Sequence, residues 1–186
     1  MRRLLCAAAA LLIAAPLQAA LFSAQTRSGG AAPVVVFTTV KGVIEIEMFP
    51  ADAPKSVERI VELAKRGFYR GTRFHWVQPG VAQVGDQFTR DMTKRDVWGT
   101  GGSGLRHSAR PIGVAEINKR RFERGIVGFA YRLGYKPETA DSQIFIVKIP
   151  SPMLNGKYAA VGRVIKGMPV VDKIALDDMI KDVSVR

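Results

Sequence analysis

The sequence predicts a mainly β protein, a closed antiparallel barrel of six or more strands capped by two helices. Short β-branched or alternating runs recur along the chain between Gly, Pro and Asp turns. Only two stretches carry helical spacing, one early and one late, so helices do not alternate with strands as in a parallel α/β fold. The chain has 186 residues and no visible internal repeat, which suits one domain on one core.

Residues 1–20, MRRLLCAAAALLIAAPLQAA, stand apart from that core. They open on Arg2 and Arg3, run apolar from Leu4 to Ala15 and end on the small residues Ala19 and Ala20. A basic start, an apolar run too short for a bilayer and a small-residue end predict a signal peptide cut after Ala19 or Ala20. A retained N-terminal anchor is the alternative. The lone cysteine, Cys6, leaves with the signal, so the remaining chain suits an oxidising compartment, periplasmic or secreted, without disulfides. No second long apolar segment follows, so no transmembrane segment is expected after cleavage. Residues 21–33, rich in Ser, Gly and Ala, read as a flexible tether, and the folded domain is expected over 34–186.

Val34 to Val40 and Val43 to Met48 are strand-like runs joined by a tight turn at Lys41-Gly42. Asp52 or Ala53 is placed to cap a helix that runs to about Arg66, with Pro54 in its first turn. Val57, Ile60, Val61, Leu63 and Ala64 give that helix one apolar face, and Gly67 stops it. Phe74 to Asp86, FHWVQPGVAQVGD, reads as strand, turn, strand, followed by a long loop over 87–110. Strand patterns return at 125–131, 143–149 and 158–164, and a short helix is expected from Pro169 to Ile174 or beyond.

Formal charge is +12, or +10 once Arg2 and Arg3 are removed. The basic residues are scattered, and Lys119-Arg120-Arg121 is their only run of three, so no specific nucleic-acid role is expected. Gly99-Thr100-Gly101-Gly102-Ser103-Gly104 matches a dinucleotide fingerprint in letters only. It lacks the preceding strand and following helix, and reads as a flexible glycine loop. His75 and His107 have no partner at metal spacing, so neither a metal nor a cofactor is expected. Asp141-Ser142 lacks the sharp Gly-x-Ser-x-Gly turn of a nucleophile, which argues against a hydrolase.

Several short pieces keep a distinctive order: Gly67-Phe68-Tyr69-Arg70-Gly71-Thr72, Phe74-His75, Gln83 with Gly85-Asp86, and Gly125-Ile126-Val127-Gly128 with Ala130. They continue with Ser142-Gln143-Ile144-Phe145-Ile146, Leu154-Asn155-Gly156-Lys157-Tyr158 and Gly162-Arg163-Val164 through Gly167-Met168. Taken together, over roughly Val34 to Ile174, the chain resembles the cyclophilin-type peptidyl-prolyl cis-trans isomerases. The resemblance implies an eight-stranded barrel with two capping helices. It also implies an enzyme that assists folding of exported proteins by isomerising Xaa-Pro bonds, a monomer whose partners are proline-containing polypeptides.

Such a reaction rotates a C–N bond over a barrier of about 18–20 kcal/mol. It needs an apolar pocket for the proline ring, polar groups for the neighbouring backbone and a donor near the prolyl nitrogen once resonance is lost. In the family that donor is an arginine directly after Phe-His; here the position is Trp76. Strand alternation predicts Trp76 on one face with Phe74 and Gln78, its single neutral N–H replacing a charged fork of five donors. The resemblance assigns catalysis to Trp76 and Gln83. It assigns substrate binding to Phe74, Val81, Phe129, Ala130, Phe145, Met153, Leu154 and Tyr158. The turn Gly80-Val81-Ala82-Gln83 is one residue shorter than the family pattern, so Val81 replaces the usual pocket phenylalanine or marks its deletion. The loop RLGYKPETA brings Arg132 and Lys136 beside the groove, where Arg132 is expected to restore part of the missing positive charge. These departures predict reduced activity. The alternatives are a non-catalytic prolyl-peptide binding module or chaperone using the same groove, and a basic envelope scaffold whose groove Trp76 blocks.

Overall fold

Eight strands and two helices carry the regular structure of the computed structural model, which describes residues 31–104, 111–132 and 134–186. The expected signal peptide at 1–20 and nearly all of the expected tether at 21–33 lie outside the described residues. The strands are β1 Val34–Thr39, β2 Gly42–Met48, β3 Trp76–Val77, β4 Val81–Val84, β5 Ile126–Phe129, β6 Ile144–Val147, β7 Ala159–Lys166 and β8 Ile180–Val185. The helices are α1 Pro54–Lys65 and α2 Met168–Lys173. All pairings are antiparallel, in the order β3-β4-β6-β5-β7-β2-β1-β8.

The sheet curls into a half-barrel, and the closed strand ladder expected from the sequence is not what the pairing shows. β3 and β8 are its two edges. The chain just before each edge is joined by the single bridge Arg73–Met179 and by backbone bonds such as Phe74 N–H to Asp178 O at 2.9 Å. One cause is that β3 has only two residues, too short to carry a ladder across.

Strand alternation divides the sheet into two faces. Val35, Phe37, Ile44, Ile46, Val84, Val127, Phe129, Ile144, Ile146 and Val161 form the main core, covered by Val57, Ile60, Leu63 and Ala64 of α1. Helix α1 lies against β7 and β8, and α2 against β2. The other face of β4, β6, β5 and β7 carries a smaller cluster of Phe122, Ala130, Phe145, Val147 and Ala160. All four residues of β6 are therefore buried, two on each side.

The first hairpin turns at Val40-Lys41, one residue before the expected position, and Gly42 opens β2 at φ +135°. The sequence reading had no β8. Its buried residues are Ile180 and Val183, three apart, because the register with β1 shifts between Thr38 and Thr39. A bulge of this kind erases the two-residue period by which a strand is recognised.

Of the two expected cap positions the structure takes the second. Ala53 is the N-cap residue with no side-chain bond, and Asp52 instead pairs with Arg120 at 2.8 Å. The helix start is capped from a distance, where the Glu116 carboxylate accepts from Lys55 N–H at 2.9 Å, Ser56 N–H at 2.7 Å and Ser56 Oγ at 2.7 Å. A negative group here satisfies otherwise orphaned donors and meets the positive end of the helix dipole. Replacing Glu116 by Ala is expected to cost about 1–2 kcal/mol, the usual range for losing a cap. Urea unfolding measures it; an unchanged midpoint would show that the remote cap contributes nothing.

Candidate active site

The register places a row of side chains on the face opposite the main core. Trp76 pairs with Gln83, Gln83 with Phe145, and Phe145 with Gly128. These residues sit side by side across β3, β4, β6 and β5. Above them lies a pocket of about 370 Å³ that Trp76, Val81, Gln83, Ala130, Phe145, Leu154 and Tyr158 line.

Phe145 forms the floor. It stacks on Phe122 with ring centroids 5.7 Å apart and meets Tyr158 edge-on at 5.2 Å. Its ring lies directly over Gly128, where a Cβ would collide with the ring's Cζ. Glycine in a central strand is normally a weakness; here it is the vacancy into which the floor ring fits. Pro79-Gly80 makes the turn between β3 and β4, with Gln78 N–H to Val81 O at 2.9 Å. Val81 stands at the start of β4 and contributes a smaller wall than an aromatic residue would.

A buried amide orders the polar wall. Gln143 gives its two N–H groups to the carbonyls of Gly99 at 3.0 Å and Gly101 at 2.7 Å. Its oxygen is thereby left to accept, from Gln83 Nε2 at 2.7 Å and from His75 Nε2 at 3.1 Å. The polarity of the chain follows: Gln83 turns its own oxygen toward the pocket as an acceptor, and His75 carries its proton on Nε2. Burial lowers the His75 pKa below its ordinary 6.5, with the Asp86 carboxylate working against the shift.

The glycine loop is held in place, contrary to the flexible loop expected from its composition. The buried Asp86 accepts from Gly99 N–H at 2.6 Å and Gly101 N–H at 3.1 Å. Asp141 accepts from Ser103 N–H at 2.6 Å and pairs with Arg59 at 2.7 Å. Asp141 is thus a structural ion, and Ser142 donates its hydroxyl to Gly85 O at 2.7 Å, so neither is free for hydrolysis. Among the described residues no group of three acidic, His or Cys side chains could hold a metal.

Three residues assigned to substrate binding lie elsewhere. Phe74 is fully buried in the main core and does not share a face with Trp76, which is 45% exposed. The alternation breaks because Phe74 bonds to residues 177 and 178, whereas the β3 ladder starts only at Trp76. Phe129 also faces the main core, since its neighbour Ala130 takes the pocket side. Met153 is 75% exposed and does not line the pocket, while the adjacent Leu154 does.

Other lining residues had no such assignment: His75, Trp98, Gly99, Thr100, Tyr131 and Gln143. Trp98 is fixed by its indole N–H to Asp91 O at 3.2 Å. Gln143 offers a weaker signal, an amide directly before the apolar run Ile144–Val147, where a buried polar group demands a bonding partner. The loop residues carried no local signal, because only folding brings 98–100 to the pocket. Arg132 lines the pocket, but three strand spacings, about 14 Å of sheet, separate β5 from β3. Its backbone stands across the pocket from Trp76, on the opposite wall. Among the described residues no hydrogen bond is made by the Trp76 indole N–H.

The sequence profile of the family described as "Cyclophilin type peptidyl-prolyl cis-trans isomerase/CLD" matches residues 34–185. The chain belongs to that family. Among its relatives, the "Probable peptidyl-prolyl cis-trans isomerase" of Brucella suis is 41% identical over 144 residues, covering 75% of this chain and 70% of the relative. The peptidyl-prolyl cis-trans isomerase of Helicobacter pylori is 36% identical over 148 residues, covering 78% and 82%. A crystal structure of a cyclophilin-type isomerase from Cryptosporidium parvum, in the presence of the dipeptide Ala-Pro, superposes with a TM-score of 0.67. That protein is 27% identical, and the match covers 82% of this chain and 98% of the other.

The polar wall of this cyclophilin has a pH signature. Because the folded state lowers the His75 pKa, the unfolded chain binds more protons just below pH 6.5. The stability contributed by neutral His75 is fully present above pH 6.5 and is lost as pH falls from there through the lowered value. NMR of the imidazole nitrogens is expected to show His75 neutral with its proton on Nε2 at pH 6.5. A ring half-protonated there, or protonated on Nδ1 alone, contradicts the hydrogen-bond polarity.

Proposed function

We propose that this cyclophilin is a peptidyl-prolyl cis-trans isomerase acting on Xaa-Pro bonds of exported proteins, at a reduced rate. The observation that carries the reading is the facing pair Trp76 and Gln83 on adjacent strands above the apolar floor of Phe145. The proline ring packs on Phe145 between Leu154, Ala130 and Val81. Gln83 accepts a hydrogen bond from the substrate backbone, and the free Trp76 N–H donates toward the prolyl nitrogen as the amide twists. That nitrogen gains a localised lone pair only when resonance is lost, so a donor aimed at it favours the transition state over either planar form.

The reduced rate follows from the donor. A hydrogen bond from a neutral group is worth about 0.5–1.5 kcal/mol and from a charged one about 1.5–3 kcal/mol. The difference, about 1–1.5 kcal/mol, corresponds to roughly tenfold in rate. Export rests on the signal-like residues 1–20, which support a periplasmic or secreted location; among the described residues no helix is long and apolar enough to cross a membrane.

One observation favours a second reading: the donor position is uncharged, which suits a prolyl-peptide binding module or chaperone that holds the substrate without turning it over. Catalysed cis/trans relaxation of a proline peptide separates the two. Wild type is expected to accelerate relaxation, Trp76→Arg to raise kcat/KM about tenfold and Trp76→Phe to lower it. Wild-type activity unchanged in Trp76→Phe removes the indole donor from the mechanism. Activity appearing only in Trp76→Arg leaves the binding module.

A further inference from the structure

A second cavity of about 220 Å³ opens beside the first and shares Gly99, Ala130, Tyr131, Arg132 and Gln143 with it. Arg132 is the sole charged side chain among the described residues lining the larger pocket. The smaller adds one more, Asp141, whose carboxylate is occupied by Arg59 and by Ser103. Arg132 itself is exposed and forms no ion pair among the described residues; its guanidinium rests on the Tyr135 ring at 5.2 Å. An arginine on an aromatic face keeps its edge donors free for a planar anion.

Two further cations are near neighbours of lining residues along the chain, although neither lines a cavity itself. Lys136 follows Tyr135 on the same loop, and Lys157 supplies the carbonyl that receives the Tyr131 hydroxyl at 3.1 Å, next to the pocket residue Tyr158. Neither forms an ion pair among the described residues. The acid on this segment, Glu138, lines neither cavity. Among the described residues Arg132 is therefore the one cation that lines both cavities, while the β3 side, at Trp76, is neutral.

Building on the isomerase or binding reading of this site, we propose that Arg132 selects proline segments that carry an Asp or Glu within two residues of the proline, the acid entering the second cavity against its guanidinium. Two extended residues span about 6–7 Å, and the two cavities adjoin, since Ala130, Tyr131 and Arg132 line both. Exposed charges in water contribute little individually, up to about fivefold per pair, and salt screens them. The expected preference for a Glu peptide over its Lys counterpart is therefore roughly fivefold to tenfold at low salt and small at high salt.

The test uses proline peptides bearing Glu, Gln or Lys at one or two residues on either side of the Xaa-Pro bond. Affinity is read from intrinsic tryptophan fluorescence, and kcat/KM from cis/trans relaxation, in low and high salt. Wild type is expected to prefer Glu over Gln over Lys at one position at least, Arg132→Glu to invert that order, and Lys65→Glu, a charge change at the end of α1, to preserve it. A Glu-to-Lys ratio near one at every position overturns the proposal, as does a preference that survives Arg132→Glu or that Lys65→Glu removes equally. Because affinity is read separately from turnover, binding with the expected order but no relaxation sinks the isomerase reading alone. Turnover of all peptides at equal rate sinks the acidic selectivity alone.

Discussion

The polar side of the site depends on one amide. Gln143 lies on the segment leading into β6 and is 9% exposed, so its four bonding positions must be filled from within the protein. Two are filled by carbonyls of the glycine loop and the others by Gln83 and His75. Remove the loop and the amide loses its acceptors; remove the amide and Gln83 loses the bond that orients it. Asp86 anchors the loop from the other side, so a buried carboxylate with no direct place in the pocket still decides where the pocket wall stands.

The two faces of the sheet divide the work. Ile144 and Ile146 hold β6 to the main core, while Phe145 and Val147, between and after them, build the site. A strand buried on both sides cannot slip by one residue without driving the floor ring into the core. The site therefore takes its rigidity from the core, and the walls that differ most from the family pattern, Trp76 and the short Pro79-Gly80 turn, stand at the edge of the sheet, where packing is least demanding.

Much of this was legible in the sequence, and the failures have causes. The row Trp76, Gln83 and Phe145 could be read because spacing and family order agree on it. Phe74 and Phe129 were misplaced because both are apolar residues beside true lining residues, and only the register shows which of two neighbours faces inward. Strand β8 was missed because a bulge turned its period from two to three. The cap on α1 was missed because Glu116 lies 60 residues beyond Ser56, and no local pattern encodes such a contact. Trp98 and the loop 99–101 belong to the site only through tertiary closure, so the composition of that loop suggested freedom where the fold imposes restraint.

Trp76 occupies a two-residue edge strand, is 45% exposed, and its side chain has no hydrogen bond among the described residues. Little of the folding free energy rests on its side chain. Its identity can change without a matching change elsewhere, so the fold survives whatever side chain stands at the proposed donor position. A rim position that packing does not constrain is one that a single codon can rewrite while the scaffold stays in service.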